Sequence, residues 1–272
     1  MQNVLQDASP YPAIPRQRPK PLGSLMGQLA KNDLKLIWRD RFLVFMVSFI
    51  VYIAIALRYI LPWLNSYLAE AGLLPNATIP QSLIDFYPLI IAYFAIFDGA
   101  LISGTVFGFA LLDEKDDDTI KAMLVTPVPF HQYMIYRVIV PIIMAFVVVL
   151  LMLLVIGQSL IPLWQLVLIS AGASLTAPII SLFYGIFAAN KVQGFAMAKF
   201  VGVAGWAIPI GWFIAGPLQW LFGLFPPFLI SKAYWMILAG DSLWWVVLTV
   251  GVVLQIGMIG VFIRWFHQVA YR

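Results

Sequence analysis

The stretch that decides the fold is "LLDEKDDDTIKAMLVTPVPF", residues 111–130, in which an acidic run follows a long apolar segment. Five of the twelve carboxylates in the chain lie here: Asp113, Glu114, Asp116, Asp117 and Asp118. Apolar segments on both sides are long enough to cross the hydrocarbon core of a bilayer. The stretch therefore connects two membrane spans, and the concentration of acid in it requires an explanation.

The composition predicts an all-α polytopic membrane protein. Of the 272 residues, 62% are hydrophobic and 10% are charged, whereas about a quarter of the residues in a soluble domain are charged. Six apolar runs predict transmembrane helices at about 42–64, 86–112, 138–161, 165–187, 200–222 and 244–266. The chain has no cysteine and two histidines, so we expect no disulfide and no histidine-based metal site. The expected surroundings are the lipid bilayer, and no nucleic acid partner is expected.

Three further segments complete the predicted organisation. Residues 1–21 are polar, contain five prolines and lack the apolar core of a signal peptide, which predicts a disordered cytoplasmic tail. Residues 22–41 have apolar side chains at helical spacing between charged ones, which predicts an amphipathic helix in the inner interface; the alternative is an extension of the first span. Residues 224–245 are too apolar for a plain loop, and Pro226 and Pro227 break the preceding helix. We therefore predict a re-entrant segment between the fifth and sixth spans.

The distribution of positive charge predicts the orientation. If the N-terminus is cytoplasmic, 14 of the 16 Lys and Arg residues fall in inner segments, and only Arg58 and Lys232 lie elsewhere. The positive-inside rule then places both termini in the cytoplasm.

The acidic stretch has three interpretations. It can be a solvated loop, because acidic residues have little effect on topology. It can be a metal site of a membrane-embedded enzyme, with the 113–118 cluster holding a hard cation, although the chain lacks the second acidic cluster that such sites need. It can be a docking helix, because Asp118 is a suitable N-cap and Pro127 and Pro129 stop a helix. In that helix Ile120, Met123 and Leu124 form one apolar face that fits a groove in a partner protein.

The stretch "DEKDDDTIKAMLVTPVP" resembles the segment between spans two and three in permease subunits of ABC-2 type exporters. The matching residues are Glu114, Asp116, Thr119, Leu124, Thr126, Pro127 and Pro129. The chain departs from the family at Asp118, where the family has glycine. Residues 188–199, "AANKVQGFAMAK", are similar to the inner loop of small drug-export permeases of this family. The resemblance covers about residues 22–266 and implies an ABC-2 type transmembrane domain over residues 22–272.

The resemblance implies the membrane subunit of an ATP-driven exporter of a drug-like or lipidic substrate in the bacterial cytoplasmic membrane. Two permease subunits, identical or related, would pair and bind a separate ABC ATP-binding subunit that holds Mg-ATP. The coupling helix to that subunit would contain Glu114, Asp116, Asp118, Thr119, Ile120, Met123, Leu124, Thr126 and Pro127. The chain has no G-x-x-x-x-G-K-[ST] phosphate loop, so we expect it to be a transport subunit without cofactor or enzymatic activity of its own.

Polar and aromatic residues within the spans are candidates for the substrate pathway: Asp98, Ser103, Thr105, Trp206, Trp212 and Phe213. An ionisable group at the depth of Asp98 suggests a functional site, but it can instead form an intramembrane pair with Arg58. Gly99, Gly104 and Gly108 favour close helix packing. In the family, spans two and five line the subunit interface, which is why the aromatic residues of span five are included.

Three other functions remain open on sequence alone. A secondary transporter would have matched halves with interrupted helices, and the two halves here differ in their inner loops. A membrane-embedded enzyme would use the 113–118 cluster with a metal. A structural scaffold would not need a capped docking helix.

Overall fold

The computed structural model describes residues 22–71, 83–117, 130–214 and 216–270. Regular structure in these residues is helical throughout, and six of the helices are long and apolar enough to span a membrane. The helices are α1 (Leu22–Arg39), α2 (Arg41–Glu70), α3 (Leu83–Asp116), α4 (Phe130–Ile156), α5 (Leu163–Phe187), α6 (Lys191–Phe213), α7 (Pro226–Leu238) and α8 (Trp244–Ala270). The predicted all-α polytopic fold with six spans is confirmed.

Helices α3 and α5 form the centre of the bundle, and most of their residues are buried. Glycines allow their backbones to approach closely: a Cβ on Gly104 would lie 2.5 Å from the Ala177 carbonyl oxygen, and one on Gly108 would lie 2.5 Å from the Tyr184 ring. Gly99 faces Val149 and Met152 of α4 in the same way. The packing role predicted for these glycines is confirmed.

Helices α2 and α6 lie on the outside. Few residues of their spans are buried, and the exposed residues are largely aromatic or branched, as lipid or another apolar partner requires. On α2 the exposed aromatic residues are Phe42, Phe45, Phe49, Tyr52, Tyr59, Trp63 and Tyr67.

The third and fifth spans begin earlier than the sequence suggested. α4 begins at Phe130 and ends before Gly157, whose φ of 68° stops the helix, whereas we predicted a span over 138–161. α6 begins at Lys191, whereas we predicted an inner loop over 188–199 and a span over 200–222.

Local capping explains the position of α6. The Asn190 side chain accepts a hydrogen bond from the Gln193 backbone amide at 3.0 Å, and Gln193 Oε1 accepts one from the Ala189 amide at 2.8 Å. Such reciprocal capping favours a helix that begins directly after Asn190. Lys191 and Lys199 therefore lie within α6. The helix ends at Phe213, shortly before Gly216 at a φ of 81°.

Two segments outside the six spans form α-helices, and a third, Pro217–Leu224, forms a 3-10 helix. α1 is followed by Asp40, which caps α2 by accepting from the Phe42 amide at 2.8 Å. α7 begins at Pro226 and Pro227, since proline suits the first turn of a helix. α7 is largely buried, and Trp235 Nε1 donates to the Pro88 carbonyl at 3.0 Å. The interfacial position of α1 and the re-entry of α7 into the membrane stay predictions.

Candidate functional site

The predicted coupling helix is only partly within the described residues. Glu114 and Asp116 lie in the last turn of α3. Asp118, Thr119, Ile120, Met123, Leu124, Thr126 and Pro127 lie outside the described residues, so the docking helix stays a prediction. The structure does describe the end of α3, which precedes the predicted docking helix. There, a set of charged side chains lies at one end of the bundle. We call this end, where α2, α4 and α6 begin and α3 and α5 end, the charged end.

Arg137 is the centre of a buried polar cluster at the charged end. The Arg137 cluster consists of Asp33, Glu114, Tyr133, Tyr136 and Arg137. The guanidinium forms ion pairs with Glu114 and, through Nη1 at 3.1 Å, with Asp33 Oδ2, and its Nε donates to the Tyr133 hydroxyl at 3.2 Å. Arg137 is 1% exposed. A guanidinium this deeply buried requires such partners, because an unpaired charge there would be very costly.

The two tyrosines complete the cluster by donating to the carboxylates. The Tyr133 hydroxyl donates to Glu114 Oε2 at 2.6 Å, and the Tyr136 hydroxyl donates to Asp33 Oδ2 at 2.6 Å. The Arg137 guanidinium also lies 5.4 and 5.5 Å from the centroids of the two rings. The cluster joins α1, α3 and α4. One of its members, Glu114, lies two positions before the acidic run Asp116–Asp118.

Lys191 makes a second connection to the end of α3. Its Nζ lies 2.7 Å from Asp40 Oδ2 and 2.7 Å from Asp113 Oδ1. Burial alone would raise the pKa of Asp40, but the hydrogen bonds from Lys191 and from the Phe42 amide hold that pKa below its ordinary value. The contact joins the beginnings of α2 and α6 to the end of α3.

Lys115 adds a third connection, to the end of α5. Its Nζ donates to the Gly185 carbonyl at 2.9 Å and to the Ala188 carbonyl at 2.8 Å, where the last carbonyls of a helix lack partners within the helix. Asp113, Glu114 and Lys115 are consecutive in sequence and together contact α6, α4 and the end of α5. Their partners Arg137 and Lys191 also pair with Asp33 of α1 and with Asp40 at the beginning of α2. A displacement of the segment that follows α3 therefore has to move these helices or break these contacts.

Sequence reasoning identified Glu114 but missed its partners. Arg137 was assigned to an inner loop because the third span was placed too late. The spacing of Tyr133 and Arg137, four residues apart in "YMIYR", was the available signal, because residues at this spacing share a helix face. Asp33, Asp40 and Lys191 gave no comparable signal, because their partners are distant in sequence.

The predicted pair between Arg58 and Asp98 does not form in the described residues. Arg58 Nη1 instead donates to the Val155 carbonyl at 2.7 Å, near the end of α4, where the carbonyls lack partners within the helix. Asp98 is half-buried and ends a π-helical segment, Ala92–Asp98. Such segments are rare and often occur at functional sites, so Asp98 stays a candidate for substrate contact.

The other pathway candidates do not line one common site. Ser103 donates to the Gly99 carbonyl and Thr105 to the Leu101 carbonyl, each at 2.8 Å, within their own helix. Trp206 and Phe213 are 58% and 68% exposed on the outside of α6. Trp212 packs against Trp235 of α7, with ring centroids 4.8 Å apart.

Two of the carboxylates that a metal-dependent enzyme would need already have cationic partners. Asp113 pairs with Lys191 and Glu114 pairs with Arg137. Within the described residues, no group of three or more His, Asp or Glu side chains is placed to hold a metal ion.

A family model and two curated relatives indicate the same family for this chain. The family model described as "Fluoroquinolones export permease protein Rv2686c-like" matches residues 33–263. The fluoroquinolones export permease protein Rv2686c of Mycobacterium tuberculosis strain H37Rv is 28% identical over 250 residues, which cover 89% of this chain and 94% of that protein. The fluoroquinolones export permease protein MT2760 of strain CDC 1551 matches to the same extent. No solved structure is significantly similar to the chain.

Proposed function

The chain belongs to the Rv2686c-like family of fluoroquinolone export permeases, and we propose that it is the membrane-spanning subunit of an ATP-driven exporter of drug-like molecules. The observation that carries this proposal is the family match over residues 33–263, which includes all six spans in whole or in large part. As a member of a permease family the chain is a multi-pass membrane protein and a transport subunit. The ATP-driven mechanism, the partners and the substrate are parts of the proposal.

ATP would be hydrolysed on a separate ABC ATP-binding subunit that carries Mg-ATP, since this sequence contains no phosphate loop. Residues 118–126 would form the helix that docks in a groove of that subunit, with Ile120, Met123 and Leu124 as its apolar face. The resemblance of "DEKDDDTIKAMLVTPVP" to ABC-2 type permeases supports this role.

The contacts of α3 support a coupling mechanism. The proposed docking segment begins three residues after Lys115, and Asp113, Glu114 and Lys115 contact α4, α5 and α6 at the charged end. Closure of the ATP-binding subunits would push this segment. The ion pairs would pass the displacement to α1, α4 and α6, and the bundle would change from inward-facing to outward-facing.

The charged end would face the cytoplasm. Positively charged residues are concentrated there and in the N-terminal segment, which favours the cytoplasmic side of the bacterial plasma membrane. Both termini would then be cytoplasmic. A second permease subunit, identical or related, would pack against part of the exposed aromatic surface of α2 or α6.

The substrate would be a fluoroquinolone or a similar amphipathic drug, because the two relatives are named for fluoroquinolone export. Asp98 is the candidate for contact with a cationic group within the spans. The half-buried position of its side chain is compatible with that role.

Co-purification tests the partner directly. The tagged chain is isolated from gently solubilised native membranes, and co-purifying proteins are identified by mass spectrometry. We expect a phosphate-loop ATPase with the wild type and its loss with the double variant Met123→Asp/Leu124→Asp. The control Lys121→Gln changes a polar position of the same segment and should retain the ATPase. Recovery of the permease without any ATPase would contradict the proposal.

A further inference from the structure

A cavity of about 470 Å³ lies near the charged end, between α1, α2, α3 and α4. Its walls are mostly apolar and include Ile37, Val47, Ile50, Val106, Phe107 and Met144. Pockets that hold drug-sized ligands typically measure about 300–1,000 Å³ and have apolar walls with a few polar groups. The cavity therefore has the size and the lining of a small-molecule site.

The cavity has an unusual polar group, the carboxylate of Asp33, which is 6% exposed. The Tyr136 hydroxyl and Arg137 Nη1 both contact the same oxygen, Oδ2. Among the described residues no donor is placed on the other oxygen, Oδ1. Oδ1 is not one of the fully enclosed polar atoms that lack a partner in the described residues, and Asp33 lines the cavity. A ligand in the cavity that donates a hydrogen bond to this oxygen would therefore form a charge-assisted contact.

The local charge favours a cationic ligand. The Arg137 cluster contains one guanidinium, that of Arg137, and two carboxylates, those of Asp33 and Glu114. The charge of the guanidinium is already balanced by one of them, which leaves a formal excess of one negative charge beside the cavity. An anionic group would be repelled, whereas a protonated amine would be attracted.

The cavity is bordered by apolar residues that are exposed. Leu34 and Trp38 of α1 line it and are 56% and 72% exposed. Exposed apolar residues of this size at the end of a membrane bundle suit contact with lipid, so an amphipathic molecule dissolved in the adjoining leaflet has a direct route into the cavity.

We propose that this cavity is a substrate-binding site for an amphipathic small molecule with a protonated amine. Its apolar body packs against Val47, Val106 and Met144, and its ammonium group donates to Asp33. The inference rests on the proposed function, because it takes the bound molecule to be the exported substrate. A ligand at this position contacts the Arg137 cluster directly, so substrate binding and the end of α3 are physically connected.

Equilibrium dialysis of the full-length chain with its co-purifying partner, in lipid nanodiscs, tests the site. The two probes are ciprofloxacin, which carries a basic secondary amine, and N-acetylciprofloxacin, in which acetylation removes that basicity. We expect the wild type to bind ciprofloxacin at least tenfold more tightly. Asp33→Asn should abolish this preference, and Val47→Phe, which fills the cavity, should weaken binding of ciprofloxacin at least tenfold.

Val51→Phe is the matched control, because Val51 lies one helical turn beyond Val47 and is 56% exposed; it should bind as the wild type does. Thermal unfolding verifies that each variant is folded. Wild-type affinity in Val47→Phe, or equal affinities of the two probes for the wild type, would overturn the proposal. If ATP-driven transport is intact in Val47→Phe, only the cavity site is refuted. If the cavity binds but ATP drives no transport, the proposed function fails and the site stands.

Discussion

Arg137 of α4 and Glu114 of α3 form an ion pair whose side chains are 1% and 13% exposed. Glu114 is also one of the residues through which the chain resembles ABC-2 type permeases. The acidic stretch therefore has two parts with different roles. Asp113 and Glu114 hold the end of α3 to neighbouring helices, and Asp116 to Asp118 lead into the proposed docking segment.

Replacement of Arg137 should destabilise the protein strongly. Arg137→Gln leaves the carboxylates of Asp33 and Glu114 buried without their cationic partner, and removing one member of a buried ion pair typically costs about 3–5 kcal/mol. The free energy of unfolding is measured by SDS titration in mixed micelles. Arg264→Gln is the control, because Arg264 is exposed and such changes typically alter stability by less than about 0.5 kcal/mol. Equal effects of the two variants would contradict the role of the cluster.

The effects of Glu114→Gln and Arg137→Gln should not be additive. Each variant removes the same ion pair, so the double variant should be more stable than the sum of the single effects predicts, by about 0.5–3 kcal/mol. A double-mutant cycle on the free energy of unfolding measures this difference. Additive effects would show that the two charges act independently.

Gly104→Ala should destabilise the packing of α3 on α5. The added methyl group would lie 2.5 Å from the Ala177 carbonyl oxygen, so two backbones must separate, and overpacking of this kind costs about 1–3 kcal/mol. Gly202→Ala is the matched control, since a Cβ there meets no atom within 4 Å. Alanine also favours a helix over glycine by about 1 kcal/mol. The control should therefore be neutral or stabilising, and a similar loss in both variants would contradict the packing.

Stability should depend on pH through Asp40. Its pKa is lowered in the folded protein, so the ionised carboxylate contributes stability above its unfolded pKa of about 3.9. That contribution is lost as the pH falls through the lower folded value. Asp40→Asn retains a side chain that caps α2 but removes the charge that pairs with Lys191.

Thermal unfolding of the wild type and Asp40→Asn is compared between pH 7 and pH 3. The wild type should be more stable at neutral pH, and the difference should shrink in the acid range. High salt should reduce the difference as well, because both side chains are partly exposed. A constant difference at every pH would show that Asp40 acts only as a helix cap.

Much of the architecture could be predicted from apolar run lengths, because a membrane span needs about 20 apolar residues. The third and fifth spans were misplaced for local reasons. The charge on Arg137 looked like the edge of a span, but its partners neutralise it inside the helix. Asn190 and Gln193 cap α6 through side-chain hydrogen bonds that hydropathy does not detect.

The candidate site was predictable only in its linear part. The segment 113–129 is continuous and could be compared with a family pattern. The Arg137 cluster requires Asp33, Glu114 and Arg137 to meet from three helices, and such proximity follows from tertiary packing. The pair between Arg58 and Asp98 was inferred from depth alone, whereas the carbonyl of Val155 accepts the hydrogen bond from Arg58.

The energy source is the most direct test of the central claim. Inside-out membrane vesicles containing the chain and its co-purifying partner are incubated with ciprofloxacin, either with ATP and a protonophore or with an imposed proton gradient and no ATP. We predict ATP-dependent accumulation that Met123→Asp/Leu124→Asp abolishes. Accumulation that requires a proton gradient and persists without ATP would contradict the account and identify the chain as a secondary transporter.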